Sequence, residues 1–215
     1  DLPQWLSEQV EIGYGTYQCG VGGLHSTHDK RLYAEASEDV LISDFDVASY
    51  YPNIMLNAGF VPKLSGGAGE RFISAYREIY EKRIEAKHSG NMKVSNALKI
   101  SLNGTFGKLG SPYSPFYSPD TMLGVTLTGQ LHLLCLIYDL VGNPTIKVLS
   151  ANTDGVTVQY PSKYRARVLG VFSDNAERTG FEYEETPYKK IAMKDVNNYI
   201  AITTSGKVKR KGLYA

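Results

Sequence analysis

Two aspartates lie where a carboxylate is costly unless something pairs with it. Asp46 is near the end of the apolar, β-forming run VLISDFDV at 40–47, and Asp154 lies in the middle of VLSANTDGVTV at 148–158. Side chains alternate along a strand, so Asp44 shares a face with Asp46. An isolated aspartate in such a place is usually an ordinary turn residue or hydrogen-bonds to nearby backbone amides. Two such aspartates together lead to a second hypothesis, in which they form a metal site.

The hypothesis of a metal site requires the two strands to be neighbours in the sheet. Adjacent strands lie about 4.8 Å apart, and Asp46 and Asp154 could then hold two Mg²⁺ ions about 3.5–4 Å apart, as in two-metal enzymes. Mg²⁺ accepts few protein carboxylates and completes its shell with water and phosphate oxygens. The segment DVASYYPNI then turns from strand into helix, which puts the N–H groups of Ser49 to Tyr51 at a helix N-terminus, where phosphates bind.

A pair of helices is expected to carry three cations. Apolar spacing predicts a helix over 70–87, and HSGN at 88–91 breaks it before a second helix begins. Helices joined by so short a turn are antiparallel. Arg83, Lys87 and Lys99 would therefore lie at one level of the pair. The alternative is a solvated charged face, in which neighbouring glutamates pair with these cations.

The remaining segments predict an α+β domain with an antiparallel sheet, because strands and helices alternate with tight hairpins. The helix pair, at about 66–108, is expected to be an insert. The other expected elements are a hairpin and a Gly-Gly loop at 10–26, a short helix at 50–59, a flexible link GGAGE at 66–70, an apolar helix at about 120–141, a helix at 163–179, strands at 181–202 and a basic hairpin at 205–212.

Composition restricts the possible partners and compartment. The 215 residues include 23 Lys and Arg against 22 Asp and Glu, a net charge of +1, so nucleic-acid binding must come from local basic clusters. Two cysteines indicate a reducing compartment without a disulfide framework. No apolar run is expected to span a membrane, and the start DLPQWLSEQ lacks a signal pattern. We expect a cytoplasmic protein and, without an initiator Met, a piece of a longer chain.

Several segments together resemble the family B DNA polymerases. FDVASYYPNI resembles motif A (D-x-x-S-L-Y-P-S-I), KISLNGTFG resembles motif B (K-x-x-x-N-S-x-Y-G), and ANTDGV resembles motif C (D-T-D-S). VGGLHS is similar to the family's template-contacting Tyr-x-Gly-Gly loop, and MKDVNNYIAI followed by KVKRKG is similar to its primer-holding segment. The order and spacing also fit, and the match covers nearly the whole chain.

The resemblance implies roles for individual residues. Asp46 and Asp154 would be catalytic and bind two Mg²⁺ ions, for which Mn²⁺ can substitute, with the Val47 carbonyl as a further ligand. The implied nucleotide-binding residues are Ser49, Tyr50, Tyr51, Arg83, Lys87, Lys99 and Asn103. Among these, Tyr51 would lie under the sugar and exclude a 2′-hydroxyl. The implied DNA-binding residues are Gly22, Gly23, Phe106, Gly107, Lys194, Tyr199 and Lys211.

The implied fold is an antiparallel-sheet polymerase palm with an inserted helix-pair fingers subdomain. The palm would cover 1–60 and 109–215, and the fingers 61–108. The implied function is a phage- or plasmid-like DNA-directed DNA polymerase core, which adds dNTPs to a primer 3′-hydroxyl on primer–template DNA in a bacterial or phage-infected cytoplasm. The family's exonuclease and thumb domains would lie elsewhere in the full-length chain.

Departures from the family keep two alternatives open. Asn152 stands where the family has the first aspartate of motif C, so Asp46 and Asp154 would carry the metals alone. Gly155 and Gly104 replace Ser, Phe106 replaces Tyr, and DVNN lacks the usual basic residues before the Tyr. A polymerase-like nucleic-acid-binding module without activity is the first alternative. A two-metal nuclease is the second, although the triphosphate cations argue against it.

Overall fold

The computed structural model describes residues 8–27 and 31–215, so the prediction about a signal segment falls partly on residues outside the description. The helices are α1 (Tyr50–Asn57), α2 (Ala68–His88), α3 (Met92–Lys108), α4 (Pro119–Val141) and α5 (Arg165–Thr179). The strands are β1 (Gln9–Ile12), β2 (Gly15–Gln18), β3 (His25–Thr27), β4 (Leu32–Glu35), β5 (Val40–Val47), β6 (Lys147–Asn152), β7 (Gly155–Pro161), β8 (Tyr183–Asp195), β9 (Asn198–Thr203) and β10 (Val208–Lys211).

One antiparallel sheet joins these strands, in the order β1-β2-β3-β6-β7-β5-β8-β9-β10, with β4 paired to β8. Strand β5 is central, because it pairs with β7 on one side and β8 on the other. Its run VLISDFDV is rich in β-branched and aromatic residues, as a buried central strand requires. The predicted α+β class with an antiparallel sheet is confirmed.

The two faces of β5 are buried in different ways. On one face Phe45 stacks on Phe172 of α5, with ring centroids 3.8 Å apart. On the other face Ile42 belongs to a core cluster with residues of β8 and β9, among them Tyr188 and Ala201. Asp44 and Asp46 lie on this second face by alternation along the strand. The candidate carboxylates therefore border an apolar core.

The chain divides into two compact units. One contains the chain up to Ala48 and from Gly129 onward, and it carries the sheet and α5. The other runs from Ser49 to Thr128 and carries α1, α2 and α3, while α4 contributes residues to both. The palm and fingers boundaries expected from the sequence concern function, and they remain a prediction.

Within the unit from Ser49 to Thr128, the helix pair is as predicted. Gly90 has a φ of +77° in the turn after α2, and the Asn91 side chain caps α3 by accepting from the Val94 amide at 3.3 Å. The helices pack against each other where the buried Tyr76 hydroxyl donates to the Leu102 carbonyl at 3.1 Å. The clean break arises because glycine reaches the left-handed conformation without steric cost.

The flexible link expected at GGAGE was wrong. Gly66 and Gly67, with φ of +61° and +68°, adopt the left-handed conformation in a short turn, and α2 begins at Ala68. A Cβ at Gly69 would lie 3.0 Å from a Val61 methyl and collide with the Pro62 carbonyl. Glycine at 69 therefore lets the first turn of α2 pack closely against the preceding segment, so these glycines serve turn geometry and packing.

Helix α4 is longer and more apolar than was expected from the sequence, and in the described part of the chain it alone has the length and composition of a membrane span. The helix has 23 residues and contains an 18-residue apolar stretch with a mean hydropathy of 1.4. The core helix of a globular protein passes the same test, and 44% of the apolar stretch is buried within the protein. Leu133, Ile137 and Leu140 on this helix are almost completely buried.

Candidate active site

Asp46 lies near the end of β5, and Asp154 lies in the turn directly before β7, the strand that pairs with β5. The two aspartates are therefore carried by neighbouring strand ends, as a shared metal site requires. Strand β5 pairs with β7 so that Asp46 is opposite Gly155, the residue after Asp154. The Val47 amide also donates to the Asp154 carbonyl at 2.8 Å. The ends of the two strands, which carry the candidate ligands from motifs A and C, are thus joined by backbone hydrogen bonds.

The turn that carries Asp154 is strained. Thr153 has a φ of +52°, a conformation that is unfavourable for a β-branched residue and needs external support. The Thr153 amide donates to the Leu24 carbonyl at 2.8 Å, and its hydroxyl donates to the Asn152 side chain at 3.2 Å. The segment before β3 therefore holds the turn, and with it the position of Asp154.

Gly155 allows β7 to approach Asp46 closely. A Cβ at this position would lie 2.8 Å from the Phe45 carbonyl oxygen and 3.2 Å from the Asp46 Cα, and it would collide with the Asp46 carboxylate. Any larger residue would have to displace β5 or the Asp46 side chain. The glycine that stands where the family has Ser thus has a structural reason in this chain.

Asp44 is fully engaged with other side chains. One carboxylate oxygen accepts from the Thr157 hydroxyl at 2.7 Å, and the other accepts from the Tyr188 hydroxyl at 2.6 Å and from the Lys209 ammonium at 3.0 Å. The side chain of Asp44 is only 10% exposed. The partners are side chains on three other strands, not the backbone amides expected for an isolated aspartate. Asp44 is therefore a structural carboxylate.

Asp46 has a different environment, two residues further along the same strand. Its side chain is 45% exposed, and the Lys209 ammonium is 3.8 Å from its carboxylate. Burial and the negative charges of Asp44 and Asp154 raise the pKa of Asp46 to about 6, against the opposing effects of Lys209 and Lys211. A carboxylate in such surroundings is stabilised by an additional cation.

Lys209 is the contact that sequence reasoning missed. Alternation along KVKRK places Lys207, Lys209 and Lys211 on one face, and this was the available signal. Which of the three approaches the carboxylates depends on the strand order. The predicted DNA contact Lys211 lies 5.9 Å over the Tyr199 ring, and it is close enough to lower the pKa of Asp46. Lys194, another predicted DNA contact, is exposed on β8.

The predicted template loop adjoins the hairpin that carries Asp154. Gly22 is exposed, and Gly23 is buried with a φ of +151°. The buried Gln130 side chain supports the loop from both directions, accepting from the Gly20 amide at 2.9 Å and donating to the Gly20 carbonyl at 2.8 Å. Strand β3 follows directly, and its His25 pairs with Asn152. Burial and Lys211 lower the pKa of this histidine.

The unit from Ser49 to Thr128 carries the predicted nucleotide-binding residues. Ser49 precedes α1 in the left-handed conformation, with a φ of 55°, and its hydroxyl accepts a hydrogen bond from the Arg83 guanidinium. Arg83 is only 5% exposed, and its Nε has no hydrogen-bond partner among the described residues. The structure thus joins two predicted residues, but it buries Arg83 instead of exposing it.

The predicted sugar-selecting and base-facing residues are in contact. The Tyr51 ring stacks on Phe106 with centroids 5.0 Å apart and an interplanar angle of 22°. Phe106 is buried and Tyr51 half-buried, whereas the neighbouring Tyr50 is buried with 4% exposure. The strand-to-helix turn and α3 therefore present one aromatic pair within this unit.

The other predicted residues of the helix pair lie closer to solvent. Lys99, Asn103 and Gly107 follow one another at i, i+4 and i+8 on α3, and all three are exposed. A Cβ at Gly107 would meet open space. Lys87 is half-buried on α2. Among the neighbouring glutamates, Glu78 pairs with Lys82 at 2.6 Å instead of with a predicted cation.

The comparisons with known proteins point to DNA polymerases. The chain is 23% identical over 184 residues to "DNA polymerase 1" of Sulfolobus acidocaldarius. The matched segment covers 84% of this chain and 21% of the relative. It is also 28% identical over 112 residues to "DNA polymerase beta" of African swine fever virus. This second match covers 52% of this chain and 9% of the relative. The chain thus spans a small part of each relative. No protein-family model matches it.

A solved structure shows the same fold. The family B DNA polymerase of the hyperthermophilic archaeon Pyrobaculum calidifontis superimposes with a TM-score of 0.60 at 17% identity. The match covers 86% of this chain and 30% of that structure. The fold is therefore similar to that of part of this enzyme. Together with the sequence relatives, this similarity supports a DNA polymerase-like region.

Proposed function

We propose that this chain is the catalytic core of a DNA-directed DNA polymerase, which adds dNTPs to the 3′-hydroxyl of a primer. The observation that carries the proposal is the pairing of β5 with β7, in which Asp46 lies opposite Gly155 and the Val47 amide bonds to the Asp154 carbonyl. A nucleotidyl transfer site needs acidic ligands for divalent cations at one place, and this pairing supplies two.

The donor set fits Mg²⁺ or Mn²⁺ better than a softer metal. Asp46, Asp154 and the Val47 carbonyl offer only oxygen ligands, which Mg²⁺ and Mn²⁺ prefer. Two bound Mg²⁺ ions would activate the attacking 3′-hydroxyl and stabilise the leaving pyrophosphate. The raised pKa of Asp46 supports this assignment, because a bound cation would favour its charged form.

The nucleotide-binding role is proposed for the unit from Ser49 to Thr128. The amides of Ser49 and Tyr50 would hold the triphosphate, Lys87 and Lys99 would neutralise it, and Asn103 would brace the nucleotide. The burial of Arg83 and its bond to the Ser49 hydroxyl suggest that Arg83 also keeps the strand-to-helix turn in shape. The rigid stack of Tyr51 on Phe106 supports Tyr51 as the steric barrier to a 2′-hydroxyl.

Primer–template DNA is the proposed partner. The glycine loop at Gly22 and Gly23, the Phe106–Gly107 pair and the basic segment with Lys194, Tyr199 and Lys211 would contact it. Binding through these local groups agrees with a net charge of only +1. Exonuclease and thumb domains elsewhere in a longer protein would strengthen the grip on DNA.

Primer extension tests the proposal. The purified chain is incubated with a labelled primer–template, dNTPs and either Mg²⁺ or EDTA, and the products are resolved by length. Mg²⁺-dependent lengthening supports the proposal. DNA binding without chemistry would favour the inactive module, which Asn152 in place of a motif C aspartate motivates. Shortening of the primer without added nucleotide would favour the nuclease.

Sugar selection is a sharper test of the nucleotide site. Tyr51→Val should open space beside the sugar and raise the ratio of ribo- to deoxyribonucleotide incorporation by about 10-fold or more, the discrimination expected from removing a steric barrier. The matched control is Tyr50→Val, since Tyr50 is the adjacent tyrosine and its proposed contact is through the backbone. An unchanged ratio in folded, active Tyr51→Val protein would exclude Tyr51 as the selector.

A further inference from the structure

Lys209 occupies an unusual position next to the carboxylates of Asp44 and Asp46. Its ammonium is 3.0 Å from the Asp44 carboxylate and 3.8 Å from that of Asp46, and it lies 5.8 Å from the centre of the Tyr188 ring. The side chain is 37% exposed. A lysine with partners on two sides is held in one place, unlike a solvated surface lysine.

The sheet brings this lysine to the acids from a distant strand. Strand β10 is three strands away from β5 in the sheet order, and Lys209 lies opposite the small, buried Ala201 of β9. The pairing of β8 with β9 contains two register shifts, near Tyr188 and near Met193, and such irregularities bend a sheet. The long side chain of Lys209 can therefore cross the small residue on β9 and reach the face of Asp44 and Asp46.

The Lys209 ammonium is shared between two carboxylates at this place. The negative charges of Asp44 and Asp154 act on Asp46, and the positive charges of Lys209 and Lys211 oppose them. Asp44 is committed to Lys209, Tyr188 and Thr157. Because the Lys209 ammonium is closer to Asp44, at 3.0 Å, than to Asp46, at 3.8 Å, it compensates the charge of Asp46 only in part. Its ammonium is nonetheless close enough to repel a divalent cation bound to Asp46.

We infer that Lys209, held by Asp44 and Tyr188, is a positioning residue with two effects. It keeps the Asp46 side chain in place before a divalent cation binds, and it lowers the affinity of Asp46 and Asp154 for a free divalent cation. This inference rests on the proposed metal role of Asp46 and Asp154. A site tuned in this way favours cations that arrive with an anionic ligand, whose charge offsets the repulsion by Lys209.

The inference predicts effects of opposite sign for the two members of the Lys209–Asp44 pair. Lys209→Met removes a fixed positive charge and should tighten Mn²⁺ binding by about 10-fold, the scale of one charge several ångströms away in a partly solvated site. Asp44→Asn leaves Lys209 free to pair with Asp46 and should weaken Mn²⁺ binding by about 3- to 10-fold. A purely structural role would weaken binding in both variants.

The experiment is a Mn²⁺ titration of the whole chain, followed by calorimetry or electron paramagnetic resonance, without DNA or nucleotide. The double variant Asp44→Asn/Lys209→Met removes the pair without a change in net charge, so it should stay folded and bind Mn²⁺ within about 2-fold of the parent. Arg210→Met is the matched control, because it removes one cation from the opposite face of β10. Thermal unfolding of each protein checks the fold.

The outcomes separate this inference from the proposed function. Tighter binding by Lys209→Met, weaker binding by Asp44→Asn and little change in Arg210→Met would support it. If Lys209→Met binds Mn²⁺ no more tightly than the parent, while Asp46→Asn abolishes binding, the role of Lys209 is wrong and the metal site stands. If Asp46→Asn binds Mn²⁺ as the parent does, the proposed metal site is wrong, and the inference fails with it.

Discussion

Polar networks lie on both faces of strand β5, but their charges are balanced differently. On the face covered by α5, Arg165 donates to both oxygens of Glu185 at 2.8 and 2.9 Å, and the Ser43 hydroxyl donates to Glu185 at 2.7 Å. The Tyr160 hydroxyl lies 3.1 Å from that of Ser43. Burial raises the pKa of Glu185, but the hydrogen bonds from Arg165 and Ser43 outweigh it and hold the pKa below its ordinary value.

On the opposite face, the effects that disfavour an ionised carboxylate prevail at Asp46. Burial and the charges of Asp44 and Asp154 outweigh those of Lys209 and Lys211, and the pKa of Asp46 is raised instead of lowered. One network stabilises its carboxylate as an anion, and the other penalises it. The difference teaches that a balanced network is a structural feature, whereas an unbalanced one is suited to bind an additional cation.

The largest effect is expected on catalysis. Asp46→Ala and Asp154→Ala should each lower the rate of primer extension by about 10³-fold or more, because each removes one of the two charged ligands proposed for the metals. Both variants should remain folded. Glu185→Gln, on the balanced face, should extend primers within about 2-fold of the parent at a temperature where it is folded. Extension by Asp154→Ala at the parent rate would contradict the difference between the faces.

Gly155→Ala should damage the unbalanced face through sterics. The added methyl would collide with the Asp46 carboxylate and lie 2.8 Å from the Phe45 carbonyl, so we expect a loss of about 1–3 kcal/mol in the free energy of unfolding. Primer extension should fall as well, because Asp46 is displaced. Urea unfolding measures the first effect. The control is Gly170→Ala, where the methyl meets open space; equal losses in the two variants would refute the steric argument.

Glu185→Gln should lower stability at neutral pH by about 1–2 kcal/mol, because it weakens the charged hydrogen bonds with Arg165. The lowered pKa of Glu185 means that its contribution is present above its unfolded pKa, near 4.5, and is lost as pH falls through the folded value. The loss caused by Glu185→Gln should therefore shrink on acidification. Urea unfolding at a series of pH values measures it, with the exposed Glu177→Gln as control. A loss that does not depend on pH would mean that charge is not the cause.

Asp46→Asn should have the smallest effect on stability, and it should raise the free energy of unfolding instead of lowering it. The folded pKa of about 6 exceeds the ordinary 3.8, so the folded state binds the proton more tightly and ionised Asp46 destabilises the fold. In EDTA, the variant should be more stable than the parent above pH 6, by less than about 1 kcal/mol because the side chain is nearly half exposed. The advantage should disappear by about pH 4. A variant that is less stable than the parent at pH 8 would show that the acids on this face are already balanced.

Local features of the sequence were sufficient to predict much of the fold. The β-forming run at 40–47, the hairpin around Asp154 and the helix break at 88–91 each depend on residues that are neighbours in the chain. The proximity of Asp46 and Asp154 could be stated only as a condition, and the pairing of β5 with β7 fulfils it. The GGAGE segment and the apolar stretch in α4 were misjudged, because composition alone does not report how glycines and apolar residues are packed.

Only the tertiary structure distinguished residues that look alike in the sequence. Asp44 and Asp46 lie on one face of one strand, yet Thr157, Tyr188 and Lys209 satisfy Asp44 and leave Asp46 partly exposed. Lys209 approaches the acids although its strand is three positions away in the sheet. Periodicity determines which face of a strand a residue occupies. Its partners depend on strand order and sheet curvature, which arise from contacts between residues far apart in the chain.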